Sequence, residues 1–97
     1  MENAVSTKIR EATKSFSDLD LKDASDLIAA YEKNDYDVFT KILVRMDTSP
    51  SEYLYDLFCK EDAAFMKAAY PMAKAGDYVR GIIYDRVYEY TDVDPES

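Results

Sequence analysis

The sequence predicts an all-α fold, a compact bundle of about five to six short helices around a central antiparallel helical hairpin. Three observations predict it. Two Gly and three Pro among 97 residues are too few for an all-β chain, which turns roughly every 8 to 12 residues. Ala, Leu, Lys and Glu, all good helix formers, recur throughout. The stretch from Asp20 to Met46, DLKDASDLIAAYEKNDYDVFTKILVRM, carries the clearest apolar periodicity. A hydrophobic share of 47% with 13% aromatics fits one globular domain around one core.

Glu2 to Phe16 reads as the first helix. Ala4 or Val5, Ile9, Ala12 and Phe16 recur at helical spacing, with Lys8, Arg10, Glu11 and Lys14 between them. The polar SFSDLD connection follows. The second helix runs from about Leu21 to Lys33 with Asp20 as its cap. Leu21, Ala24, Leu27, Ile28 and Tyr31 form its inner stripe, while Asp23, Asp26, Ala30 and Lys33 lie off it. Asn34 and Asp35 make a tight turn and a new cap, with Asp37 at N3. The third helix extends to about Met46 and buries Phe39, Ile42, Leu43 and Met46. A turn this short forces the two helices antiparallel.

Asp47 to Pro50 breaks the chain, and Ser49-Pro50-Ser51-Glu52 has the capping-box pattern with proline at N1. Tyr53, Leu54, Leu57 and Phe58 are the expected inner face of the fourth helix. Asp62 caps a fifth, carrying Phe65, Met66, Ala69, Met72 and Ala73, which Pro71 kinks or ends. Gly76 and Asp77 read as one helix's C′ residue and the next one's cap. The last segment, DYVRGIIYDRVYEYTDV, is rich in strand-forming Tyr, Val and Ile. No turn splits it and no second strand exists to pair with it, so helix is expected from Asp77 to about Tyr90. Val79, Ile82, Ile83, Val87 and Tyr90 would face inward, and Gly81 would cost about 1 kcal/mol. Residues 1–91 thus form one domain and residues 92–97 an acidic, disordered tail.

The residue inventory argues against an enzyme. Histidine is absent, which removes the commonest general base and the commonest metal ligand together. A Ser or Cys nucleophile would lack its usual activating base. Cys59 reads as a small buried hydrophobe and, as a lone cysteine, forms no intramolecular disulfide. The run Asp18, Asp20, Lys22, Asp23 loosely follows a calcium loop. It lacks glycine at the sixth position and has Ala29 where glutamate belongs. No catalytic residue, metal or cofactor is expected. A reducing cytoplasm is the expected location, since there is no signal peptide and no 18-residue apolar run.

Charge is more informative. Twenty acidic against twelve basic residues give a net charge of −8, which disfavours direct binding to nucleic acid and suits a basic protein surface. From Asp18 to Asp37, seven carboxylates face Lys22 and Lys33, a local net of −5. Thr48 to Asp62 carries −3 and Val87 to Ser97 carries −4. Carboxylates three or four residues apart on a helix stand roughly 5 to 6 Å apart at Cβ, close to the spacing of successive phosphates. The candidate contacts are Asp23, Asp26, Glu32, Asp35 and Asp37 on the hairpin, then Glu52, Asp56, Tyr84, Tyr88 and Glu89. Tyr84 and Tyr88 sit at i, i+4 on the expected outer side of the last helix, as interface anchors.

Asp20-Leu21-Lys22-Asp23-Ala24 and Arg86-Val87-Tyr88-Glu89 resemble short pieces of the Ocr-type anti-restriction DNA mimics of phages. The resemblance covers about a tenth of the chain, and twelve cations depart from that strongly acidic pattern. It points to the class of small phage-encoded inhibitors, anti-CRISPR proteins included. It implies a stoichiometric blocker, monomer or homodimer, that sets carboxylates against the basic surface of a host nucleic-acid-binding protein. A second expectation is a small regulatory or chaperone-like interaction module, or a complex subunit. The stretch LIAAYEKNDYDVFTKIL resembles one tetratricopeptide-type helix pair, and an apolar groove involving Leu54, Phe58 or Met66 would then bind the partner.

Overall fold

Asn3 opens the first helix by accepting a hydrogen bond from the Ser6 backbone N–H at 2.8 Å. The computed structural model describes residues 3–72 and 77–92. Among these it contains six α-helices, one 3₁₀ turn and no strand, so the all-α expectation holds.

Helix α1 (Ala4–Ala12) is shorter than the apolar spacing suggests. Thr13 ends it: the buried hydroxyl donates to the Ile9 carbonyl at 2.9 Å, and its N–H bonds the same oxygen at 3.0 Å. The final carbonyls are thereby satisfied without another helical turn. Phe16, beyond the helix, still packs on the core and lies 5.9 Å from the Tyr53 ring.

Helix α2 (Asp18–Glu32) starts earlier than expected, with Ser17 and not Asp20 as its cap. Ser17 Oγ accepts from the Asp20 N–H at 3.3 Å and donates to Asp20 Oδ2 at 3.0 Å. Asp18 and Asp20 then occupy the first turn, where the helix dipole favours negative charge. Ala24, Leu27, Ile28 and Tyr31 are buried as the stripe requires. Ala30, expected outside, is buried too, because α3 (Tyr36–Arg45) packs over that side of α2.

The hairpin turn is closed by two backbone bonds. Asp35 N–H reaches the Ala30 carbonyl at 2.9 Å and Asn34 N–H the Tyr31 carbonyl at 3.1 Å. This is a Schellman motif, with Asn34 left-handed at φ 56°. Asp35 caps α3 through Val38 N–H at 3.2 Å, so Val38 takes N3 and Asp37 sits one residue earlier. One residue therefore ends α2 and begins α3, which fixes the antiparallel hairpin. Phe39, Ile42, Leu43 and Met46 are all buried.

Helix α4 (Thr48–Glu61) begins after Asp47, which places Pro50 at the third helical position instead of the first. A first-turn N–H has no helical partner, so proline is tolerated there as well. The inner face is turned relative to expectation. Ser51, Leu54, Tyr55, Phe58 and Cys59 are buried, whereas Tyr53 is 42% exposed and Leu57 half-buried. The cause is position: α4 packs against α1, α5 and α6, and the larger α5–α6 side takes Tyr55 and Cys59 inward.

Asp62 separates α4 from α5 (Ala63–Ala69), accepting from Phe65 N–H at 3.1 Å as anticipated. Pro71 lies in the 3₁₀ turn Tyr70–Met72 that follows. Residues Asp77–Thr91 form α6, helix and not strand, with Ile83 and Val87 buried and Ile82 half-buried. Ala73, Gly76, residues 93–97 and the side chains of Met72, Val79 and Tyr90 fall outside the described residues. Phe39 centres the core, edge-on to Phe58 at 5.0 Å and to Phe65 at 4.8 Å.

Candidate functional site

The predicted contact residues separate into pairs that the fold has largely neutralised. Asp23, only 14% exposed at its side chain, lies 2.9 Å from Arg45 of α3, and the same guanidinium is 3.6 Å from Asp26. Asp37 pairs with Lys41 at 3.0 Å. Asp56 Oδ1 is 2.6 Å from Arg86 Nε, across the α4–α6 contact, and Glu89 is 4.0 Å from Arg86 Nη1. Burial alone would lower the Arg86 pKa; Asp56, with Glu89 and Glu52, more than offsets it and holds the group above the ordinary arginine value. A continuous phosphate-like row is thus broken by Arg45, Lys41 and Arg86. Tyr88 is exposed as expected, but Tyr84 is half-buried, parallel to the Tyr88 ring at 6.4 Å and tilted against Tyr70 at 6.2 Å.

Glu32 and Asp35 stand apart from these pairs. Both sit at the hairpin turn, and among the described residues neither has a cation within ion-pair distance. Beside Glu32 opens a cleft of about 350 Å³ lined by Asn3, Tyr31, Glu32, Asn34, Tyr36, Asp62, Ala64 and Phe65, whereas Asp35 lines a different hollow together with Lys33 and Arg45. Among the described residues the lining of the cleft holds two carboxylates and no cation.

Four segments build this cleft. The C-terminal end of α2 supplies Tyr31 and Glu32, the turn supplies Asn34, and the start of α3 supplies Tyr36. The cap and first turn of α5 bring Asp62, Ala64 and Phe65, and Asn3 arrives from the start of α1. The Tyr31 hydroxyl donates to Asp62 Oδ2 at 2.7 Å, while Oδ1 of the same carboxylate caps α5. Burial, then Asp62, pushes the Tyr31 phenol well above its ordinary value, so it stays a donor. The Tyr36 ring meets Phe65 at 5.1 Å, and Phe65 meets Tyr31 edge-on at 4.7 Å. Acidic groups are therefore held against aromatic faces.

No protein-family model, curated protein or solved structure matches this chain. Function therefore rests on the chemistry of the sites alone.

The cleft escaped prediction because Asp62 comes 31 residues after Tyr31 and was legible only as a cap. The cluster of Tyr31, Glu32, Asn34 and Tyr36 around the turn was the one local signal. A second concavity, of about 450 Å³, lies between α1 and α4 and is lined by Thr7, Lys8, Ile9, Glu11, Ala12, Leu57 and Glu61. Lys8 and Glu61 pair at 3.1 Å on its rim. Leu54, Phe58 and Met66, the expected groove residues, are fully buried in the core instead. Cys59 is 1% exposed, and burial pushes its thiol up to about 12. Among the described residues no group of three Cys, Asp or Glu side chains is placed to hold a metal ion, and no helix is long and apolar enough to cross a membrane.

Proposed function

We propose that this protein is a stoichiometric binding protein, not an enzyme, that engages the basic surface of a nucleic-acid-binding protein and blocks it, as anti-restriction and anti-CRISPR proteins do. The observation that carries this reading is the acidic cleft at the α2–α3 turn, where Glu32 and Asp62 face, among the described residues, no cation, with Asp35 exposed elsewhere on the same turn. Acids without an internal cation are those left to meet a partner's Lys and Arg. The pairing of Asp23, Asp26 and Asp56 inside the molecule shifts the expected contact from a phosphate-like ladder to this one end of the hairpin.

Capture from lysate tests it. Immobilised protein at low salt retains a basic nucleic-acid-binding protein, retention falls steeply as salt rises, and the captured protein loses its DNA or RNA. A Glu32→Lys, Asp35→Lys variant loses capture. Retention that ignores salt and survives this variant would rule the reading out.

The α1–α4 concavity favours a second reading, an interaction module that binds through apolar contacts. Ile9, Ala12 and Leu57 line it, and Tyr53 is exposed on the same helix. Leu57→Asp would then abolish capture while Glu32→Lys left it intact.

A further inference from the structure

We infer that the cleft at the hairpin turn is a seat for one arginine side chain projecting from a basic protein partner; this rests on the binding reading above and names the group that is bound. A space of about 350 Å³ holds one long side chain and not a helix. Among the described residues its lining carries Glu32 and Asp62 with no opposing cation, so a positive group is drawn in and an anion is repelled.

Geometry selects the kind of cation. Asp62 is held in place by the Tyr31 hydroxyl on one oxygen and the Phe65 N–H on the other, and each oxygen keeps a second lone pair. Glu32 is exposed and adjustable on the opposite helix end. Tyr36, half-buried against Phe65, adds an aromatic face. A planar guanidinium stacks on such a ring while its forked N–H groups reach two carboxylates. An ammonium is more strongly hydrated and offers no flat face, so lysine is the poorer occupant of an open cleft. A bare metal ion is poorly served, since no three Cys, Asp or Glu side chains among the described residues converge to ligate it.

The test is a titration of ¹⁵N-labelled protein with two blocked peptides, acetyl-Gly-Arg-Gly-amide and acetyl-Gly-Lys-Gly-amide. The arginine peptide is expected to shift the amides of Glu32, Asn34, Tyr36 and Ala64 saturably, at least about threefold more tightly than the lysine peptide. Glu32→Gln, at an exposed position, and Tyr36→Leu each weaken it about threefold or more, while Asp26→Asn leaves it unchanged. Equal binding of both peptides, or shifts spread over the Asp26 and Glu52 neighbourhoods, overturns the seat. A failed titration with salt-sensitive lysate capture intact removes this seat alone. An intact titration with no capture removes the proposed function and leaves the seat.

Discussion

Arg86 Nε of α6 lies 2.6 Å from Asp56 Oδ1 of α4, and both atoms are withdrawn from solvent. Neither residue is enclosed as a whole, at 29% and 42% side-chain exposure, so water screens part of the attraction. The contact nonetheless pins α6 to α4. Arg86→Leu leaves an oxygen of Asp56 without its cation and is expected to destabilise the fold by about 1–3 kcal/mol. Adding Asp56→Leu should recover much of that loss, because no charge is then left unmatched. Urea unfolding of the two single variants and the double variant measures the coupling; strictly additive losses would show that the pair contributes nothing jointly.

Asn34 holds φ 56° where α2 stops. Glycine adopts that conformation without a Cβ penalty, so Asn34→Gly should be neutral or stabilising by up to about 1 kcal/mol. Asn34→Ala should lose about 1 kcal/mol, and Asn34→Val more. Thermal melts followed by circular dichroism give the order Gly, Asn, Ala, Val, and any other order would mean that the left-handed turn does not limit stability.

Gly81 sits within α6, and a Cβ added there would meet nothing within 4 Å. Gly81→Ala should therefore gain about 1 kcal/mol through helix propensity alone. A higher urea midpoint at unchanged m-value is the expected result, and a lower midpoint would contradict it.

Two buried groups make stability fall in alkali. Burial, and then Asp62, raises Tyr31 above its ordinary 10.0; burial, and then Asp56, raises Cys59 from 9.0 to about 12, against the opposing pull of Arg86. The unfolded chain releases these protons while the folded chain keeps them. Their contribution is thus fully present below pH 9.0 and is lost as pH rises, through Cys59 first and then Tyr31 above 10.0. The urea midpoint should drop between pH 9 and 11 more in the parent protein than in Cys59→Ala, Tyr31→Phe. Equal slopes would show that neither proton is retained by folding.

Much of the helical layout was readable from spacing. Phe39, Ile42, Leu43 and Met46 are buried as their register requires, and Asp62 caps α5 as expected. Helix starts shifted where two caps competed: Ser17 displaces Asp20 because its hydroxyl can both accept from and donate to that residue. Tyr53, expected inward, is exposed while Tyr55 is buried, because the buried side of α4 depends on which helices surround it.

The acidic residues show the same boundary more sharply. Local sums over Asp18 to Asp37 omit Lys41, one turn beyond Asp37 on α3, and Arg45, which the hairpin folds back toward Asp23, and Arg86 reaches Asp56 from 30 residues away. Sequence alone determined that this chain is helical, acidic and free of histidine, since period, composition and inventory are local properties. Only the tertiary structure decided which carboxylates are already paired and that Glu32 and Asp62 share a cleft. Charge pairing acts through space, and separation along the chain does not measure it.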